Sequence, residues 1–257
     1  MKVVLAFDKF KGSATARELS DAACQALEGI VGVTVACVPV ADGGDGTTAV
    51  LADCCQGQWI TVPTTAPLLQ QNLVNAQYFI TDDATALIEV AAASGLARVP
   101  EGQRNVMRAT TLGTGMLMRD AMEHGCRHIV LGLGGSATCD AAMGIMCALG
   151  AEFHDEHGHY LFPCGESIGE IAHIETLGIP PEVHECRFTL NSAEHFKEFH
   201  RHETYARPSC KQNPMRTNAT GGMKKCYISS VATQFRIWAT KPLNTQQTNT
   251  KNTSNAH

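Results

Sequence analysis

Two glycine-rich stretches carry side chains whose types and spacing suit anion and cation chemistry. Residues 128–146, HIVLGLGGSATCDAAMGIM, begin as an apolar run, break at Gly132-Leu133-Gly134-Gly135-Ser136 and restart at helical spacing. A strand feeding a glycine loop that opens a helix leaves bare amides at the positive end of a helix dipole, which suits a phosphate. Ser136 and Thr138 add hydroxyl donors, and Asp140 offers a carboxylate to a cation. The plainer reading is a tight strand-to-helix turn with a capping serine. The spacing matches neither G-x-G-x-x-G nor G-x-x-x-x-G-K-[ST], so a nucleotide site here is of another kind. Residues 41–48, ADGGDGTT, place Asp42 and Asp45 three apart among three glycines. Such a pair suits Mg2+ or the hydroxyls of a polyol; acids compensating a helix start are the alternative.

Three smaller groups accompany them. Residues 110–115, TTLGTG, form a second hydroxyl-rich helix start suited to an anion. Asp8-Lys9-Phe10-Lys11-Gly12-Ser13 follows the first apolar run. Glu89 closes an apolar strand ahead of Ala91-Ala92-Ala93-Ser94-Gly95, either as a site residue or as a helix-start acid. His154, His157 and His159 resemble a metal cluster in spacing, but on a turn without a fourth ligand they are read as surface residues.

The elements that position these groups follow from periodicity. Residues 3–7 read as a strand, and a helix starts at Thr15 with Glu18 completing a capping box. Leu19, Ala22, Ala23, Ala26, Leu27 and Ile30 form its expected buried stripe. A second strand spans 33–38, so a βαβ unit and a parallel sheet are expected, with ligand loops at the C-terminal strand ends. A helix over 48–55 follows, then strands over 58–65, 73–81 and 85–90, with Asp82-Asp83 turning the last two into a hairpin. A helix runs from the 110–115 loop to Gly125, and a strand spans 127–131. Residues 151–154 and 160–162 flank a turn and are expected to pair as a hairpin. A last strand covers 186–190.

Composition bounds the rest. The 257 residues are 44% hydrophobic and 18% charged, ordinary for a globular protein with ample core. There is no apolar run of membrane-spanning length and no signal-peptide core at the N-terminus. Eleven scattered cysteines without a C-x-x-C, several of them (Cys24, Cys37, Cys54, Cys126, Cys147) inside apolar patterns, point to free thiols in a reducing, cytoplasmic-type compartment. Residues 1–190 carry 10 basic and 22 acidic side chains, net −12, whereas 191–257 carry 10 and 3, net +7. The second stretch loses all sustained apolar period, and its composition predicts disorder. No nucleic-acid-binding motif accompanies its basic charge.

With these loops in hand, the chain resembles the bacterial type of glycerate kinase, the family that phosphorylates D-glycerate with ATP and Mg2+ in the cytoplasm. The matching stretches are FDKFKGSATA (7–16), PVADGGDGT (39–47), IEVAAASGL (88–96), TTLGTG (110–115) and LGLGGSATCDAAMGIMCALGA (131–151). The resemblance implies a Rossmann-like parallel-sheet domain facing a second α/β domain across a cleft. It divides residues 1–190 into a first-domain part (1–65) and a second-domain part (66–190), followed by the divergent tail 191–257. It implies catalytic roles for Asp8, Lys11, Asp42 and Asp45, with the last two also holding the metal and Lys11 neutralising charge on the transferring group or the glycerate carboxylate. Ser13, Gly43, Gly44 and Glu89 would meet the substrate. Thr111, Gly113, Thr114, Gly115, Gly134, Gly135, Ser136, Thr138 and Asp140 would meet the nucleotide. Two departures stand out. The family usually continues Asp-Gly-Gly where this chain has Asp140-Ala141-Ala142, which is expected to narrow the pocket. The resemblance also stops near residues 188–190, as in a truncated or frame-shifted member, which leaves a kinase remnant that binds without turnover as the alternative.

Overall fold

The computed structural model describes residues 1–10, 12–68 and 73–191. Strand β1 (Lys2–Leu5), helix α1 (Ala16–Leu27) and strand β2 (Thr34–Cys37) form the expected βαβ unit, with β1 and β2 parallel. Helix α2 (Thr47–Ala52) leads to β3 (Gly57–Thr64), β4 (Val74–Thr81) and β5 (Thr85–Glu89), and then to the short helix α3 (Val90–Ser94) and to α4 (Leu112–Glu123). Strand β6 (His128–Gly132), helix α5 (Met143–Ala148), strands β7 (Glu152–His154) and β8 (His173–Glu175), helix α6 (Pro181–Glu185) and strand β9 (Arg187–Asn191) complete the order.

A five-stranded sheet ordered β3-β4-β5-β6-β9 is the larger of the sheets. The β3-β4-β5 half is antiparallel and the β5-β6-β9 half parallel. Strand β3 pairs along its whole length with β4, so residues 57–64 belong to the larger sheet. Tyr78, Ile88, Ile129 and Leu131 of β4, β5 and β6 share one buried cluster with Leu117 and Met118 of α4, Ile145 of α5 and Leu149 just after it. Helix α4 packs closely on α5 at Gly115 and on the segment after β3 at Gly113, because these two positions lack side chains. A Cβ on Gly115 would stand 2.5 Å from that of Ala148, and one on Gly113 would stand 2.2 Å from the carbonyl oxygen of Thr65.

The first unit is less well covered than its pattern predicts. The Thr15–Glu18 capping box is present, but Ala22, Ala26 and Ile30 of the expected stripe are exposed and only Ala16 and Ser20 of α1 are buried. Two strands offer too little surface to cover a twelve-residue helix, and Val4 and Val38 remain more than half exposed. Cys24 and Cys37, expected as free thiols, are joined as a disulfide that ties α1 to β2. The expected pairing of 151–154 with 160–162 is also revised. Strand β7 pairs antiparallel with β8, and the other segment forms no strand but meets β7 through a His154–Tyr160 antiparallel bridge, the Leu161 amide on the Phe153 carbonyl and a His154–Tyr160 ring contact. The turn between them wraps around Asp155, whose carboxylate accepts from the amides of His157 and His159. The expected disorder of 191–257 concerns a segment that, from 192 onward, lies outside the described residues.

Candidate active site

The parallel half of the sheet ends in one row. Register places Glu89, Gly132 and Asn191 side by side at the C-terminal ends of β5, β6 and β9. This is the edge of a parallel sheet at which ligands gather. Both glycine loops meet there. The Leu133 amide donates to the Asn191 carbonyl at 3.0 Å and the Gly134 amide to the Gly43 carbonyl at 3.3 Å. A Cβ on Gly134 would fall 2.3 Å from the Gly44 Cα, and one on Gly43 would fall 2.8 Å from the Asn191 backbone. Only bare backbone fits at this seam, and Gly43 also takes a positive φ that glycine tolerates best.

Around the seam stand the charged groups. The Lys9 ammonium donates to the Asp45 carbonyl and lies 3.7 Å from the Asp42 carboxylate. Asp42 Oδ1 also accepts from the Gly44 amide at 2.9 Å, which bends the loop. Asp45 is exposed. Asp8 accepts from the Lys9 amide at 2.7 Å, fixing the turn after β1. Lys11 lies outside the described residues, and Ser13 sits on the exposed turn closed by Phe10 and Ala14. Lys9 is therefore the cation seen between the two acidic positions. The sequence held the signal, since Lys9 and Lys11 alternate in one loop, but nothing there chose between them. Asn191 was likewise missed; its signal was its place directly after the last strand.

The 132–138 loop is held in shape from its far side. The Leu96 amide donates to the Gly135 carbonyl at 2.8 Å and the Ala137 amide to the Ser94 carbonyl at 2.9 Å. The hydroxyls of Ser136 and Thr138 lie 2.7 Å apart, and the Ser136 oxygen accepts from the Thr138 amide. Gly135 is exposed, with φ at +77°.

Two groups of the residues expected to meet the nucleotide are engaged within the protein. Asp140 is 1% exposed, and its Oδ2 accepts from the Thr111 amide at 2.7 Å, the Thr111 hydroxyl at 2.8 Å and the Gly144 amide at 3.1 Å. Burial pushes its pKa up, while these donors pull the other way. This carboxylate fills the anion position between the starts of α4 and α5, where Oδ2 is engaged by protein donors. The 110–115 loop is closed in the same manner. Thr111 Oγ1 also accepts from the Ile145 amide at 3.0 Å, and Thr114 Oγ1 donates to Ser94 Oγ at 2.9 Å. Thr110, Thr111, Gly113, Thr114 and Gly115 are all buried. Thr111, Gly113, Thr114 and Gly115 thus pack helix against helix, and a phosphate would reach the Thr111 amide and hydroxyl only by displacing the Asp140 carboxylate. Glu89 too is engaged, with one oxygen on the Thr48 amide at 2.6 Å and the other on the Gly46 amide at 3.1 Å.

Ala141 and Ala142, at φ +49° and +63°, are two of only three non-glycine residues with positive φ among those described. The departure from Asp-Gly-Gly therefore acts on the backbone of the turn, with Ala142 buried in the core beneath the loop rather than narrowing a pocket. Among the described residues, no three His, Cys, Asp or Glu side chains cluster to hold a metal, and no helix is long and apolar enough to cross a membrane.

Comparison with known proteins identifies the fold that carries this seam. The family model described as the glycerate kinase family matches residues 3–193. A glycerate kinase of Bacillus cereus is 41% identical over 181 residues, which are 68% of this chain and 46% of that protein. Glycerate 2-kinase of Escherichia coli K12 is 38% identical over 188 residues, 72% of this chain and 49% of that protein. The crystal structure of a protein assigned as glycerate kinase 2 from Salmonella typhimurium LT2 superposes with a TM-score of 0.63 at 37% identity, covering 74% of this chain and 51% of the other. The chain spans about half the length of the curated relatives it matches. On these matches, the α/β chain described here belongs to the glycerate kinase family.

Proposed function

We propose that the seam between residues 42–46 and 132–138 binds ATP phosphates and that the chain transfers the γ-phosphoryl group to D-glycerate. The observation that supports this most is the abutment of the two loops at the row formed by Glu89, Gly132 and Asn191, with Lys9 set between Asp42 and the Asp45 carbonyl. Phosphoryl transfer asks chiefly for positioning and charge neutralisation. The Gly135 and Ser136 backbone and the Ser136 and Thr138 hydroxyls contribute contacts to the phosphates, and Gly134 holds their loop against Gly43. Lys9, with Lys11, offsets the charge of the transferring group. A glycerate hydroxyl oxygen bonds to the γ-phosphorus, its proton passes to a carboxylate of the Asp8, Asp42 and Asp45 group, and the bond to ADP breaks. Gly43 and Gly44 let the substrate approach the backbone beside them.

The donor set fits Mg2+ shared with phosphates. Asp42 and Asp45 are both exposed carboxylates in one loop, and Mg2+ is commonly held by one or two carboxylates together with substrate phosphates. Bound there, the ion would neutralise phosphate charge. ATP as substrate fits a cytoplasmic setting.

A second reading, nucleotide binding without turnover, is favoured by the thin first unit, where α1 is half covered and Val4 and Val38 face solvent. One assay separates the two: ADP release from Mg-ATP by the 257-residue chain, with and without D-glycerate. Glycerate-dependent release that Asp42→Asn abolishes supports transfer. Mg-ADP binding without release supports the second reading, and neither binding nor release refutes both.

A further inference from the structure

We infer that Glu89 is a positioning residue that docks the Asp42–Asp45 loop onto the sheet and thereby sets the affinity of the site for metal-bound nucleotide; this rests on the proposed nucleotide site. Helix α2 has no capping side chain of its own: it opens at Gly46, and no side-chain cap hydrogen bond comes from that residue. The first amides of a helix need acceptors. They find one in a different element: both oxygens of Glu89, at the end of β5, take the Gly46 and Thr48 amides at 3.1 and 2.6 Å.

The consequence reaches the site because of what lies just upstream. Asp42, Gly43, Gly44 and Asp45 precede the two amides that Glu89 holds. Among the described residues, the other end of the loop is held by the 3.3 Å bond between the Gly134 amide and the Gly43 carbonyl, by Lys9 and by the packing of Gly43 on the Asn191 backbone. The carboxylate is therefore the anchor that sets where Asp42 and Asp45 stand relative to the 132–138 loop. Glutamate suits the task because two acceptor oxygens meet two donors. Glutamine offers one acceptor and turns an N–H group toward the other amide. Glu89 is consumed by this bidentate grip and does not itself touch ligand.

The test uses Glu89→Gln and Glu89→Ala in the full 257-residue chain, with two readouts. The first is amide hydrogen exchange at residues 44–48 without ligand. Glu89→Ala should lose protection at Gly46 and Thr48 while β4, β5 and β6 keep theirs, and Glu89→Gln should lose it at one amide. Unchanged exchange at both amides in Glu89→Ala, or an equal loss throughout the sheet, overturns the inference. The second is Mg-ADP affinity, which should weaken roughly 10-fold or more in Glu89→Ala and by a smaller factor in Glu89→Gln. Affinity within twofold of the parent, with the loop amides freed, also overturns it. Absence of Mg-ADP binding in the parent chain refutes the proposed nucleotide site and with it the functional half of the inference. The docking half is then decided by exchange alone.

Discussion

Replacing Ala141 by glycine should stabilise the protein, whereas the same change at its neighbour Ala142 should not. Both residues sit in the left-handed region, at φ +49° and +63°. There an L-residue other than glycine pays about 1–2 kcal/mol. Glycine removes that penalty but adds about 0.5–1 kcal/mol of conformational entropy lost on folding. For Ala141, which is partly exposed, the balance is a gain of about 0.5–1 kcal/mol. For Ala142, 4% exposed and packed in the main core, losing the methyl removes about 0.8 kcal/mol of burial, which brings the balance close to zero. Urea unfolding of the two single variants and the parent would read this, and the melting temperature of Ala141→Gly should rise by about 1–4 °C. Ala141→Val supplies the opposite perturbation, because a β-branched side chain fits this region worst and should lose about 1–2 kcal/mol. The reasoning is refuted if Ala141→Gly is less stable than the parent, or if Ala141→Val matches it.

Asp140→Ala leaves the Thr111 and Gly144 amides and the Thr111 hydroxyl without their buried acceptor. It should lose about 3–5 kcal/mol in urea unfolding, while Asp140→Asn, which keeps an acceptor oxygen, should lose markedly less. Gly134→Ala pushes a methyl into the Gly44 backbone; the loops must part, so Mg-ADP affinity measured by calorimetry should fall at least about tenfold while the sheet still melts cooperatively. Burial and the nearby Arg187 guanidinium hold His128 below the ordinary imidazole value of 6.5. The folded state therefore disfavours the imidazolium, and stability should decline as pH falls from about 6.5 toward the lower folded value. His128→Asn should flatten that part of the profile of melting temperature against pH.

Much of the positioning was legible in the sequence because it rests on local rules. Thr15 and Glu18 announce the start of α1, and the apolar runs of β4, β5 and β6 come out where the pattern puts them. The two loops at the seam could be read as a pair because glycines beside carboxylates and hydroxyls have few structural uses. What escaped was the direction in which donors point. The 110–115 and 132–140 stretches look alike as strings, yet Asp140 supplies the anion for the first from within the protein, and only the second remains beside the charged loop. Glu89 illustrates the same limit. Its residue type allowed either a site or a helix-start role, and its partners lie more than forty residues away in a different unit. The stripe of α1 was misread as buried because periodicity tells which face is apolar, not whether enough sheet lies beneath it.

The most direct test of the central claim is amide hydrogen exchange of the full chain with and without Mg-ADP. Binding at the seam is expected to add protection at residues 42–48 and 132–138, with little change at 110–115, which is buried and where the Thr110 and Thr111 amides and the Thr114 hydroxyl bond within the protein. Protection centred on 110–115 with none at 42–48 would contradict it.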